Sequence, residues 1–171
     1  MKGKLTEVGF GSQKYDLAFY IANRPPIDDY PLLNSLKPLR PGEIAHIVEH
    51  TSNHWRKVFN VLAKFLMELR AGTKDEYEGT WQQYRHETLF QMHSNEVLLF
   101  SAPDFSLKTN AVHVITGKTY GTGLGLPFTL DWLDSYFAVN EEHRVIVSPY
   151  PDYRQLSNER ITRLVELVKQ I

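Results

Sequence analysis

Apolar residues step by threes and fours from Ile44 through Ile47, Val48, Thr51, Trp55, Val58, Phe59, Leu62, Phe65 and Leu66 to Leu69. That spacing lines one face of a helix. Gly42 precedes the run, Gly72 ends it, and Thr51-Ser52-Asn53 in its middle has cap chemistry, so the pattern fits two helices sharing one phase. Further helices are expected over about 78–93, over 128–138 (FTLDWLDSYFA), and at the C-terminus. There Ser157 or Asn158 is the N-cap and Ile161, Leu164, Val165, Val168 and Ile171 form the stripe. Short apolar runs read as strands: LTEVGF (5–10), LAFYIA (17–22), EVLLFS (96–101), VHVITG (112–117) and RVIVS (144–148). The connector at 23–42 holds five of the nine prolines and should lie over the surface.

Strands alternating with helices predict a single α/β domain over residues 1–171. The expected architecture is a three-layer sandwich with a mainly parallel sheet of about four to five strands. One link is short for a helical crossover: about ten residues join Ser101 to Val112. Those two strands are therefore either antiparallel or joined by an extended return.

Composition narrows the function classes. With 171 residues, 42% apolar and 23% charged, the chain can bury a core without disulfides, and it has no cysteine with which to make them. A net charge of −1 offers no general attraction for nucleic acid or anionic membrane, and no apolar run is long enough to span a bilayer. A cytoplasmic location is expected, with no cofactor assigned.

Two motifs invite chemistry. GEIAHIVEH (42–50) contains H-x-x-E-H and resembles the G-x-A-H-x-x-E-H signature of pitrilysin-type inverted-zincin proteases, with one residue inserted after the glycine. That resemblance implies His46 and His50 as zinc ligands and Glu49 as general base. The helical phase argues otherwise. At about 100° per residue from Ile44, the row His46–His50–His54 turns from the outer face toward the flank of the apolar stripe, as a solvated row does. The stretch from Val97 to Val139 also lacks a glutamate for a third ligand, so no metal is assigned. TGKTYG (116–121) ends like a phosphate-binding P-loop, but residues 112–115 read as strand and leave no loop to wrap phosphate. The glycines that follow predict a surface loop rather than a helix opening at Lys118.

Open α/β sheets bind ligands beyond the carboxyl ends of their strands. Here those ends run into NRPP (23–26), SAPDFSLK (101–108), GKTYGTG (117–123) and SPYPDYRQLSN (148–158). The expected rim therefore holds Asn23, Arg24, Ser101, Asp104, Lys118, Thr119, Tyr120, Tyr150, Asp152, Tyr153 and Arg154. Cations suit anionic oxygens, tyrosines suit a flat ring, and Asp104 and Asp152 are the candidate catalytic carboxylates. The set points to a small phosphorylated or heterocyclic ligand.

At NHWRKVF (53–59) and SPYPDYRQLSNERI (148–161) the chain resembles a family of small uncharacterised proteins of gammaproteobacteria, which implies no activity. The placement of SAPDFS (101–106) and SPYPDY (148–153) before a final helix is also similar to the uracil-DNA glycosylase superfamily. That likeness would imply a water-activating Asp104 and a Pro149–Tyr153 loop that presses on DNA. A third reading is a non-catalytic interaction module whose exposed aromatics, Trp81, Tyr150 and Tyr153, meet a partner.

Overall fold

The computed structural model describes residues 6–106 and 109–171. Leu5 of the expected first strand, and residues 107 and 108 of the expected exit after Ser101, lie outside the described residues. The elements run β1 (Gly9–Phe10), β2 (Leu17–Tyr20), a 3-10 turn (Tyr30–Leu32), β3 (Leu36–Lys37), α1 (Glu43–His50), α2 (Asn53–Arg70), α3 (Trp81–Glu87) and β4 (Glu96–Leu99). They continue with β5 (Val112–Thr116), α4 (Lys118–Gly123), β6 (Asp131–Trp132), β7 (Ala138–Asn140), β8 (Val145–Ser148) and α5 (Asn158–Gln170).

All strands join one sheet in the order β3-β1-β4-β2-β5-β8-β7-β6. The centre, β4-β2-β5-β8, is parallel. The flanks are not: β1 runs antiparallel to β4, β7 to β8 and β6 to β7. The sheet is thus mixed and eight-stranded among the described residues, rather than mainly parallel with four to five strands. The additional strands are two or three residues long and carry too little alternation to register in an apolar pattern.

The central strands are buried on both faces, which is why they read as continuous apolar runs. On one face Leu17, Phe19, Leu98, Val114 and Ile146 meet α2 and its neighbours, with Phe19 edge-on to Phe65 and Phe90. On the other, Ala18, Tyr20, Val97, Leu99, Ile115 and Val147 are covered by Tyr120 of α4 and by irregular segments carrying Phe105, Leu126 and Phe128. The second cover is thus one short helix and loops rather than a full helical layer. The ten-residue link resolves as a parallel return. Phe105, in the described part of that link, packs edge-on against His113 at 5.4 Å and Phe128 at 5.0 Å and covers the sheet where a crossover helix would.

Two expected helices change. Residues 128–138 form β6 and the start of β7, because Asp134 accepts the backbone N–H groups of Tyr136 and Phe137 and closes a turn there. The helix expected over 78–93 is confined to α3, opened by a capping box between Thr80 and Gln83. The long run at 44–69 does divide into α1 and α2, with Ser52 as N-cap of the second.

Gly9 is required where β1 crosses β4: a Cβ there would lie 2.0 Å from the Leu98 carbonyl oxygen. Gly9→Ala should destabilise the protein by about 3 kcal/mol or more in urea unfolding, since backbone rather than a flexible side chain must give way. His113 gives a second test. Burial, reinforced by Arg144, lowers its pKa from 6.5 to about 4, while Nδ1 is 2.7 Å from the Tyr20 hydroxyl. Its neutral form is favoured by folding, so this contribution is complete above pH 6.5 and is lost as pH falls toward about 4. The size is about 3 kcal/mol, and His113→Gln should flatten the pH dependence of unfolding across that window.

Candidate functional site

Register brings the four strand exits side by side. Tyr20 pairs with both Leu99 and Ile115, and Thr116 pairs with Ser148. The bonds Ile21 N–H to Leu99 O at 3.0 Å and Gly117 N–H to Ser148 O at 2.8 Å extend this alignment into the exits. α2 and α5 run back along the sheet from this edge, so both helix N-termini face it, and neither N-cap serine makes a side-chain capping bond.

The centre of the edge is a tyrosine–histidine pair. Tyr150 stacks on His54 with ring centroids 5.4 Å apart and planes at 16°, and its hydroxyl lies 2.5 Å from His54 Nε2. The Asn23 amide, at the β2 exit, acts on the same phenol and favours its ionised form. Burial pushes the Tyr150 phenol up to about 12, against Asn23 and with Asp152 adding to it. Burial also holds His54 below its ordinary value, with Asp152 raising it and Lys57 lowering it. Both groups are thus neutral near neutral pH. Phenol and imidazole therefore share one proton between the Tyr150 hydroxyl and His54 Nε2, the tautomer deciding which of them donates. Gly117, at φ 98, lets the chain turn between Tyr150 and Tyr120: its absent Cβ would lie 3.6 Å from one and 3.9 Å from the other.

Beside this pair Lys57 on α2 lies 3.7 Å from Asp152 and 5.3 Å from the Tyr153 ring centroid. Asp152 also accepts the Arg154 N–H at 2.9 Å, and Arg154 Nε donates to the Tyr153 hydroxyl at 3.3 Å. The arrangement offers a cation, a flat phenol and two helix N-termini to an anion, with a neutral acid–base pair alongside.

Several expected rim residues have other tasks. Arg24 donates to the carbonyls of Tyr30, Pro31 and Leu33, holding its own loop. Ser101 accepts the Val8 N–H at 3.0 Å and anchors the approach to β1. Asp104 accepts the Ser106 N–H at 3.0 Å. Lys118 lies over the Trp132 ring at 4.7 Å, and Thr119 is exposed beside it. These two open α4 directly after Gly117, where a surface loop was expected. The helix forms because Gly121 approaches Val147 so closely that a Cβ would lie 3.0 Å from it. Strand and helix meet with no intervening loop to cradle phosphate.

The residues the sequence did not mark for this edge are His54 and Lys57. Their only signal was position: both sit in the first turns of α2, where the histidine row reaches the flank of the stripe. The row itself diverges. His46 turns to Asp28 at 2.6 Å, while His54 turns to Tyr150. Among the described residues no three histidine or carboxylate side chains converge as a metal-holding group. No helix among them is long and apolar enough to cross a membrane.

Cavities of about 900, 440 and 260 Å³ lie among the described residues, and the Tyr150 edge borders none of these three. No curated protein and no solved structure matches the chain. Residues 8–169, however, match the sequence profile of a family of unknown function, DUF6942. With nearly its whole length inside that profile, the chain belongs to the DUF6942 family.

Proposed function

We propose that the protein binds a small ligand, one bearing an anionic group and a flat ring, at the carboxyl edge of its four parallel strands. The observation that carries this is the stacked His54–Tyr150 pair, met by the exits of β2, β5 and β8, with Lys57 and two uncapped helix N-termini beside it. Lys57 and the helix N-termini take the anion. Tyr153 and Tyr120 flank the ring, and Arg154 closes the outer side. Asp152 orients Lys57 and is the carboxylate this reading keeps; Asp104 sits in its own turn. Proton transfer, where a ligand calls for it, falls to His54, whose ring is a neutral acceptor at physiological pH. A phosphorylated or heterocyclic metabolite has the required chemistry.

The glycosylase-like and partner-docking readings have less behind them. Tyr150, central to both, faces inward onto His54, leaving Tyr153 as the exposed aromatic of that loop at 51%. A DNA-pressing loop also needs a run of phosphate-binding cations, and the net charge is −1.

The test is a thermal-shift screen of nucleotides, sugar phosphates and heterocyclic metabolites, followed by calorimetry of those that stabilise the protein. Lys57→Ala and His54→Ala should each weaken such a ligand about tenfold or more, about 1.4 kcal/mol. Their unliganded melting temperatures should stay near wild type. A screen with no stabilising compound, or affinity unchanged in both variants, would remove the reading. A separate measurement addresses the pair itself. By NMR, His54 should titrate with a midpoint below 6.5. Because folding favours its neutral ring, the associated stability is complete above that pH and is lost as pH falls through the depressed value.

A further inference from the structure

The largest of the three cavities, about 900 Å³, opens beside α1 on the β3 side of the molecule, and Glu43 and His46 of the GEIAHIVEH stretch stand in its lining. Its frame is internally satisfied. Glu43 accepts from the Tyr30 hydroxyl at 2.5 Å, from Lys37 Nζ at 2.6 Å and from the Arg40 backbone N–H at 3.0 Å. Burial would push the Glu43 carboxyl up, but these three donors hold it below the usual carboxylate range. Tyr30, Lys37 and Glu43 therefore tie the 3-10 turn, β3 and α1 together whether or not anything is bound.

One turn further along α1, His46 Nε2 meets Asp28 at 2.6 Å. Asp28 has φ 50, in the left-handed region that Asp tolerates better than most side chains, and this turn aims its carboxylate at α1. Two charges of the lining then remain. Among the described residues, the Arg40 guanidinium and the Asp29 carboxylate have neither a hydrogen-bond nor an ion-pair partner, and they do not pair with each other.

We propose that this cavity binds a small zwitterion of the amino-acid type, its carboxylate on Arg40 and its ammonium on Asp29. The charge sum decides the class. Three carboxylates (Asp28, Asp29, Glu43) against two cations (Lys37, Arg40) leave one net negative charge with His46 neutral, and none with it protonated. A phosphorylated compound would bring two or more negative charges against Asp28 and Asp29. A simple amine would leave Arg40 without a counter-charge. A molecule with one group of each sign answers both, and the guanidinium fork matches a carboxylate in two-point contact. This ligand differs in charge from the one proposed for the Tyr150 edge, so the two sites are separable by chemistry as well as by position.

Saturation-transfer NMR on the full chain with a mixture of free amino acids tests the site, followed by calorimetry of the strongest responder. Three arms follow: the parent amino acid, its N-acetyl derivative, which lacks the ammonium, and its carboxamide, which lacks the carboxylate. Only the parent should bind. Arg40→Gln and Asp29→Asn should each weaken it about tenfold or more, the loss of one charge-assisted contact. Lys57→Ala, at the Tyr150 edge, should leave it unchanged. Both cavity positions are exposed, so melting temperatures near wild type will show that the variants remain folded. Three outcomes would each overturn the proposal: no amino acid responds, the two derivatives bind as well as the parent, or neither cavity variant changes the affinity.

Discussion

The constraint on which the rest of this structure depends is the register of the parallel block β4-β2-β5-β8. Leu17 pairs with Glu96 and Val112, and each following residue keeps step up to Tyr20. A slip of one residue along any of these strands would carry Phe19 or Val114 from the helical face to the loop-covered face and reverse both covers at once. Because the strands start and stop together, their exits open together. The helices then return along one face, and their N-termini collect at the same edge as the loops.

The two ends of the sheet therefore differ in kind. At the amino edge, Glu96 is 3% exposed and is compensated by two groups: Tyr84 donates at 3.2 Å and Arg70 lies at 3.5 Å, while Arg70 is itself held by Asp16 at 2.6 Å. Burial pushes the Glu96 carboxyl up while Arg70 draws it back down. That network joins the C-terminus of α2 to the starts of β2 and β4, where a cation also suits the negative end of the helix dipole. The carboxyl edge has the opposite character. Lys57, paired with Asp152 at 3.7 Å, and a pair of neutral rings stand there at the positive ends of two helices.

Patterns that depend on near neighbours were legible in the chain. The division of 44–69 into two helices followed from Ser52, and the central strands followed from their apolar runs. Elements whose form depends on distant contacts were not. FTLDWLDSYFA has helical spacing, yet two backbone bonds to Asp134 turn it into a hairpin on the edge of β8. TGKTYG has the glycine content of a loop, yet Gly121 fits against Val147 and permits a helix. The rim was legible as a location but only partly as a set of side chains. Asn23, Tyr150, Asp152, Tyr153 and Arg154 meet there, whereas Arg24, Ser101 and Lys118 are engaged by carbonyls, an N–H and an indole that no local pattern announces.

HIVEH shows the boundary most clearly. Sequence alone determined that His46 and His50 share one face of a helix, because 3.6 residues per turn places i and i+4 side by side, and that a cap at Ser52 could set His54 on a second helix. It likewise determined the mixed α/β character, through the periodicity of its longer elements. Tertiary structure alone decided what each histidine faces: His46 a carboxylate from a turn eighteen residues earlier, and His54 a phenol ninety-six residues later. The reason is physical. Periodicity sets which side of its own element a residue occupies, while its chemical partner is set by how the strands register and which loops that register brings together.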